Sequence, residues 1–102
     1  MKLEHESSEK LKNDILKILR RYLNLQEYKV FFFGSRVEEN NSEHADIDVG
    51  VEGPRPIPSR VKLEIEEALE NLPVLYKIDF VDFKDVSDEF HKIALQHVEY
   101  LY

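Results

Sequence analysis

Apolar residues recur along this chain with two different periods. From Glu9 to Leu25, Leu11, Ile15, Ile18, Leu19, Tyr22 and Leu23 return at the spacing of one helix face. Lys10, Asp14, Lys17 and Arg21 fall on the opposite, solvated face, and Ser7 or Ser8 can cap the start. Tyr28 to Phe33 is an aromatic and β-branched run stopped by Gly34, which predicts a strand covered on both faces. Arg36 to Ala45 is polar and reads as a loop. Asp46 to Val51 alternates strictly, with Asp46, Asp48 and Gly50 on one side and Ile47, Val49 and Val51 on the other, as a half-buried strand does.

After Gly53-Pro54-Arg55-Pro56-Ile57-Pro58, Ser59 is expected to cap a second helix with Val61, Ile65, Ala68, Leu69 and Leu72 as its apolar stripe, stopped by Pro73. A third strand is expected over Val74 to Phe83, with Asp79, Val81 and Phe83 on one face and Ile78, Phe80 and Asp82 on the other. A last helix beginning near Ser87 would carry Phe90, Ile93, Ala94, Val98 and Leu101 inward. The order helix, strand, strand, helix, strand, helix predicts an α+β (α/β mixed) fold. Its helices pack on one face of a small mixed β-sheet, leaving the other face available. At 102 residues the chain fits a single domain, 1–102, with a modest core, so a second substrate is expected at a surface groove or on a partner.

Composition narrows the chemistry. The absence of cysteine excludes disulfides and thiolate zinc sites. No apolar run approaches a membrane span and Met1 to Lys12 has no signal-type apolar stretch, so a cytoplasmic protein with no membrane contact is expected. The net charge of −7 argues against direct nucleic-acid binding, which needs Lys and Arg to displace counterions. A polyphosphate remains compatible if divalent metal stands between it and the carboxylates.

Those carboxylates are the distinctive feature. Asp46 and Asp48 leave one strand face roughly 6–7 Å apart along the backbone. Alone, such a pair reads as two solvated aspartates; with a cation between them, it is a Mg²⁺ ligand set. Aspartate is depleted in strand interiors, so Asp79 and Asp82 in one short strand need a reason. If Asp79 shares the face of Asp46 and Asp48, three carboxylates converge in a set able to hold two metals and support in-line attack at phosphorus. Asp82 is expected at the solvent. Gly34-Ser35 can bring backbone N–H groups and a hydroxyl to a phosphate, although Gly-Ser after a strand is also an ordinary turn. No Gly-Lys-Ser/Thr or Gly-x-Ser-x-Gly pattern is present. Of the four histidines only His44 lies near these residues, and it reads as an exposed loop residue; Tyr22, Phe90, Tyr100 and Tyr102 read as core or interface.

Taken together, Gly34-Ser35-Arg36, Ala45-Asp46-Ile47-Asp48-Val49 and Lys77-Ile78-Asp79-Phe80-Val81-Asp82 resemble the minimal nucleotidyltransferase (MNT) family of the DNA polymerase β-like superfamily. The resemblance covers about 28–102 and includes the twelve-position spacing from Gly34 to Asp46. It implies a polymerase β-like palm fold, contact of Gly34, Ser35 and Arg36 with a triphosphate, and two Mg²⁺ ions on Asp46, Asp48 and Asp79. Asp79 would also act on the acceptor hydroxyl. The implied substrate is ATP or another NTP, and the implied partner is a HEPN-type protein to which AMP is transferred, this chain being the antitoxin of a toxin–antitoxin pair, with homo- or hetero-oligomers as its assembly. Two positions depart from the pattern: no second glycine stands near Glu39, and Ala45 replaces the usual serine. Glu38, Glu39 and Glu43 near a phosphate are unfavourable unless they point to water. The rival expectation is a non-catalytic module that neutralises a partner by contact, through an apolar patch around Tyr100, Leu101 and Tyr102.

Overall fold

The computed structural model describes residues 8–34, 46–74 and 76–101. Helix α1 spans Ser8–Arg20 and turns Leu11, Ile15, Leu16, Ile18 and Leu19 inward. It ends earlier than its apolar period, which continues through Leu23. The Leu23 N–H still donates to the Leu19 carbonyl at 2.8 Å, but the Asn24 side chain then accepts from Gln26 N–H and starts a local turn that competes with the helix.

Four strands follow: β1 (Lys29–Phe33), β2 (Ile47–Glu52), β3 (Ile78–Asp82) and β4 (Val98–Tyr100). They form one mixed sheet in the order β3-β2-β1-β4. β1 runs antiparallel to β2 and β4, whereas β2 and β3 are parallel and joined by helix α2 (Ser59–Glu70). A parallel pair needs such a crossover. The expected α+β class with a small mixed sheet therefore holds.

Five details differ from the expectation. Ser59 does not cap α2: it is the first helical residue, and Pro58 precedes it with no side-chain capping bond. Proline's fixed φ suits a helix start, where its missing N–H costs nothing. The third strand is shorter than 74–83: it spans Ile78–Asp82, with the Lys77 carbonyl just before it accepting from Ile47 N–H at 2.8 Å. The last helix, α3, covers only Asp88–Ala94, with the Ser87 hydroxyl accepting from Phe90 N–H. Val98 and Leu101 are not on this helix. Val98 pairs with Phe33 in β4, and the Leu101 N–H donates to the Val30 carbonyl at 2.9 Å, satisfying an edge of β1 that would otherwise be bare.

The fourth difference concerns the faces. α1 and α2 cover one face, where Val30, Phe32, Ile47, Val49, Val51, Ile65, Leu69 and Phe80 form the main core. α3 does not join them. Phe31, Phe33 and Phe83 point to the other face, and these aromatics draw Ala94, Leu95 and Val98 over themselves. Gly50 makes this possible, since a Cβ there would lie 2.5 Å from the Phe83 ring and 2.6 Å from the Phe31 ring. The two rings close edge-to-face over the glycine, their centroids 4.9 Å apart. The face expected to be open is thus open only toward the end that carries Asp48. Across the other end of the assembly, Lys12 of α1 reaches Glu99 of β4 at 2.6 Å.

Asp82 also departs from expectation. It is 3% exposed, not solvated. Its carboxylate accepts from Ile57 N–H at 2.7 Å and from Lys84 N–H at 3.0 Å. A buried charge requires such partners. Asp82 fastens the Gly53–Pro58 connection to the end of β3, which explains an aspartate at an inward position.

Candidate active site

Strand pairing brings the carboxylates together. In the parallel ladder, Asp48 of β2 stands opposite Asp79 of β3, and Ile47 opposite Ile78. Neighbouring strands lie about 4.8 Å apart, and partners in register project to the same face. Ile47 and Phe80 go to the main core, so Asp48 and Asp79 go to the other side. Asp46 precedes β2, is exposed, and comes within hydrogen-bonding reach of Asp79. The pairing of β1 with β2 sets Phe33 opposite Asp48. This brings Gly34, the next residue, against the same carboxylate.

Gly34 has φ +88°, a conformation that only glycine adopts without strain. A Cβ at this position would lie 2.7 Å from Asp48 Oδ2. The chain therefore reverses out of β1 with its backbone beside an acidic group, leaving room that any larger residue would fill.

The electrostatics follow from the crowding. Burial, reinforced by the charges of Asp79 and Asp46, pushes the Asp48 carboxyl from its ordinary value of 3.8 up to about 6. Asp79 is also raised, chiefly by burial and by hydrogen bonding with Asp46; Lys77, whose Nζ is 3.8 Å from Asp79 Oδ1, works against that shift. Like charges held this close favour the ionised state only when a cation joins them. The donor set is entirely carboxylate oxygen, the kind that Mg²⁺ accepts while keeping sites for water and phosphate. Among the described residues, no three His, Cys, Asp or Glu side chains already enclose an ion position. The three aspartates form an open face, as suits a metal shared with a substrate.

Ser35 and Arg36, expected beside the triphosphate, lie outside the described residues, as do Glu38, Glu39, Glu43, His44 and Ala45. His91 lies on the same side of the sheet but toward the other end of β2: its ring packs against Phe83 and its Nε2 lies 2.8 Å from Glu52 Oε2. The expected apolar patch at the C-terminus is reduced to one exposed ring among the described residues, because Leu101 is buried at 8% whereas Tyr100 is 50% exposed.

Sequence reasoning overlooked the surroundings of Asp48. A cavity of about 510 Å³ opens beside it, lined by Phe33, Gly34, Phe90, Ile93, Ala94 and His97. Phe90 and Ile93 were expected inside a core, but they are 41% and 62% exposed. The signal available was the brevity of the helix: three apolar positions on seven residues, one of them alanine, do not require a buried stripe. Among the described residues no helix is long and apolar enough to cross a membrane.

Comparison with known proteins agrees with this architecture. The chain is 25% identical over 85 residues to Probable protein adenylyltransferase MntA of Haemophilus influenzae, covering 81% of this chain and 75% of that one. Its fold matches a toxin–antitoxin structure with AMP-PNP at a TM-score of 0.73, with 21% identity over 89% of this chain and 72% of the other. It also matches a complex of the tri-AMPylated Shewanella oneidensis HEPN toxin with MNT antitoxin at a TM-score of 0.69, with 21% identity over 92% of this chain and 71% of the other. A sequence model of the family described as Polymerase beta, Nucleotidyltransferase matches residues 6–102, nearly the whole chain. This protein therefore belongs to the polymerase β nucleotidyltransferase family.

Proposed function

We propose that the protein transfers AMP from ATP to a hydroxyl on a HEPN-type partner, acting as a single-domain (1–102) cytoplasmic antitoxin of a toxin–antitoxin pair. The observation that carries this reading is the face where Asp48 and Asp79 stand in register, with Asp46 beside them and Gly34 against Asp48, in a chain of a nucleotidyltransferase family. The adenylyltransferase relative and the AMPylated HEPN complex of similar fold support the choice of AMP and of partner.

In this reading Gly34 presents backbone N–H groups to the triphosphate, with Ser35 and Arg36 adding donors. Asp46, Asp48 and Asp79 would hold divalent metal, two Mg²⁺ ions, which supplies positive charge against the phosphate oxygens when bound. The acceptor hydroxyl oxygen bonds to the α-phosphorus, the bond from that phosphorus to the β-phosphate bridge breaks, and pyrophosphate leaves with the electron pair. Asp79 takes the hydroxyl proton as the base of the reaction.

A contact-only antitoxin would need no nucleotide, and thermal unfolding separates the two readings. ATP with Mg²⁺ at about 100 times Kd should stabilise the protein by about 2.7 kcal/mol. ATP without metal should do little, and Asp46→Asn with Asp48→Asn should remove the shift. An unchanged melting curve in Mg²⁺ and ATP would leave the contact module as the better account.

A further inference from the structure

β3 is the outermost strand on its side of the sheet, paired only with β2 among the described residues. The Lys77 carbonyl accepts from Ile47 N–H, and Phe83 N–H donates to the Val51 carbonyl. Backbone groups of successive strand residues point to alternate edges, so those of Ile78 and Phe80 point away from β2. Among the described residues no hydrogen-bond partner stands on that side. A bare edge of this kind is a template for another strand. A cavity of about 590 Å³ touches Ile78, Asp79, Phe80 and Val81 in succession. The side chains of these four alternate between the two faces, so one cavity can reach them all only by running along the edge. Its other walls are Glu66 and Glu70 of α2, with Leu72 and Val74.

Resting on the nucleotidyltransferase reading above, we infer that this edge docks the acceptor: an extended peptide segment of the partner protein adds to the sheet beside β3 and presents its hydroxyl side chain on the face of Asp79. The edge offers main-chain hydrogen bonds, and the cavity beside it contains the residue that would receive the acceptor's proton. Strand geometry sets the register. In an added strand, the residue opposite Asp79 projects to the face of Asp48 and Asp79, and its two neighbours project to the α2 side. Those neighbours meet Leu72 and Val74 and the carboxylates of Glu66 and Glu70. The segment that fits therefore carries apolar or basic residues on either side of its hydroxyl, and an acidic neighbour is repelled. Lys62, 4.0 Å from Glu66, offsets part of that charge, whereas Glu70 is exposed. Main-chain bonds supply affinity, and the two flanking side chains supply selectivity.

The test follows hydrogen exchange of single backbone amides by NMR in the full chain, alone and with a HEPN-type protein, without nucleotide so that no transfer intervenes. Strand addition should slow exchange at Ile78 and Phe80 at least about tenfold, while Asp79 and Val81, which face β2 in both states, change by less than about twofold. In a second measurement, Glu66→Lys with Glu70→Lys should raise the KM for the acceptor about tenfold and leave kcat and ATP affinity within about twofold of native. An unchanged KM would remove α2 from the docking site. A labelled acceptor in Mg²⁺ and α-labelled ATP, with exchange at Ile78 and Phe80 unaltered by its binding, would overturn the strand addition and leave the nucleotidyltransferase reading standing. Slowed exchange with no label on the acceptor would uphold the docked strand and overturn the transfer. Slowed exchange that grows with the concentration of the chain alone would give the edge to a second copy instead. Neither slowed exchange nor label would overturn both.

Discussion

Asp48 is the residue on which the account turns. It is partly buried, faces Asp79 across the ladder, and leaves no room for a side chain at Gly34. Its carboxyl titrates near 6 instead of 3.8, so the folded state binds its proton more tightly than the unfolded state. Stability attributable to this group is therefore greatest below about pH 4 and falls as pH rises from there through about 6. Without metal, the melting temperature should decline over that interval by more in the native protein than in Asp48→Asn. At pH 7.5 the variant should be the more stable by about 1 kcal/mol, or roughly 4–8 °C, while losing transfer activity. A variant less stable than native at pH 7.5 would show that the charge is not strained. Gly34→Ala should cut transfer at least about tenfold, because the new Cβ displaces the carboxylate, and misplacement by even about 1 Å is costly in catalysis. Native rates from Gly34→Ala would separate that turn from the site.

At the scale of elements, the parity of strand positions was legible in the sequence. The alternation in 46–51 and in 78–82 predicts which residues share a face, and the parallel register then sets Asp48 opposite Asp79. The inward side of β3 was harder to read. Asp82 looked solvated because its partners, the N–H groups of Ile57 and Lys84, are backbone groups that no side-chain pattern reveals. Asp82→Ala should leave a buried Ile57 N–H without its acceptor and cost about 2–3 kcal/mol in denaturant unfolding, with the transfer chemistry little changed at temperatures where the variant is folded. A loss under about 0.5 kcal/mol would mean that the connection holds without it. The final segment misled for a related reason. Phe90, Ile93, Ala94, Val98 and Leu101 have helical spacing, but Val98–Tyr100 pair with the edge of β1, an edge that a longer helix would leave bare.

At the scale of the molecule, two cores clamp one sheet, and the aspartates occupy the end that the aromatic core leaves uncovered. Composition alone indicated a modest globular core but could not divide it between the faces. That division depends on Gly50 letting Phe31 and Phe83 meet, a contact between residues 52 positions apart in sequence. The pair Lys12–Glu99 fixes α1 to the far edge of the sheet. Glu99 is disfavoured as an anion by burial, but hydrogen bonding and charge, from Lys12 foremost, bring its pKa below the ordinary value. The net charge of −7 makes a free polyphosphate an unwelcome ligand. A divalent cation on the carboxylates would offset that repulsion.

Transfer of AMP is tested most directly with ATP radiolabelled at the α-phosphate, Mg²⁺ and a HEPN-type protein as acceptor. Label is expected on the acceptor with α-labelled ATP, none with γ-labelled ATP, and none from the Asp46→Asn, Asp48→Asn protein. An unlabelled partner held in a stable complex by the native chain would contradict it.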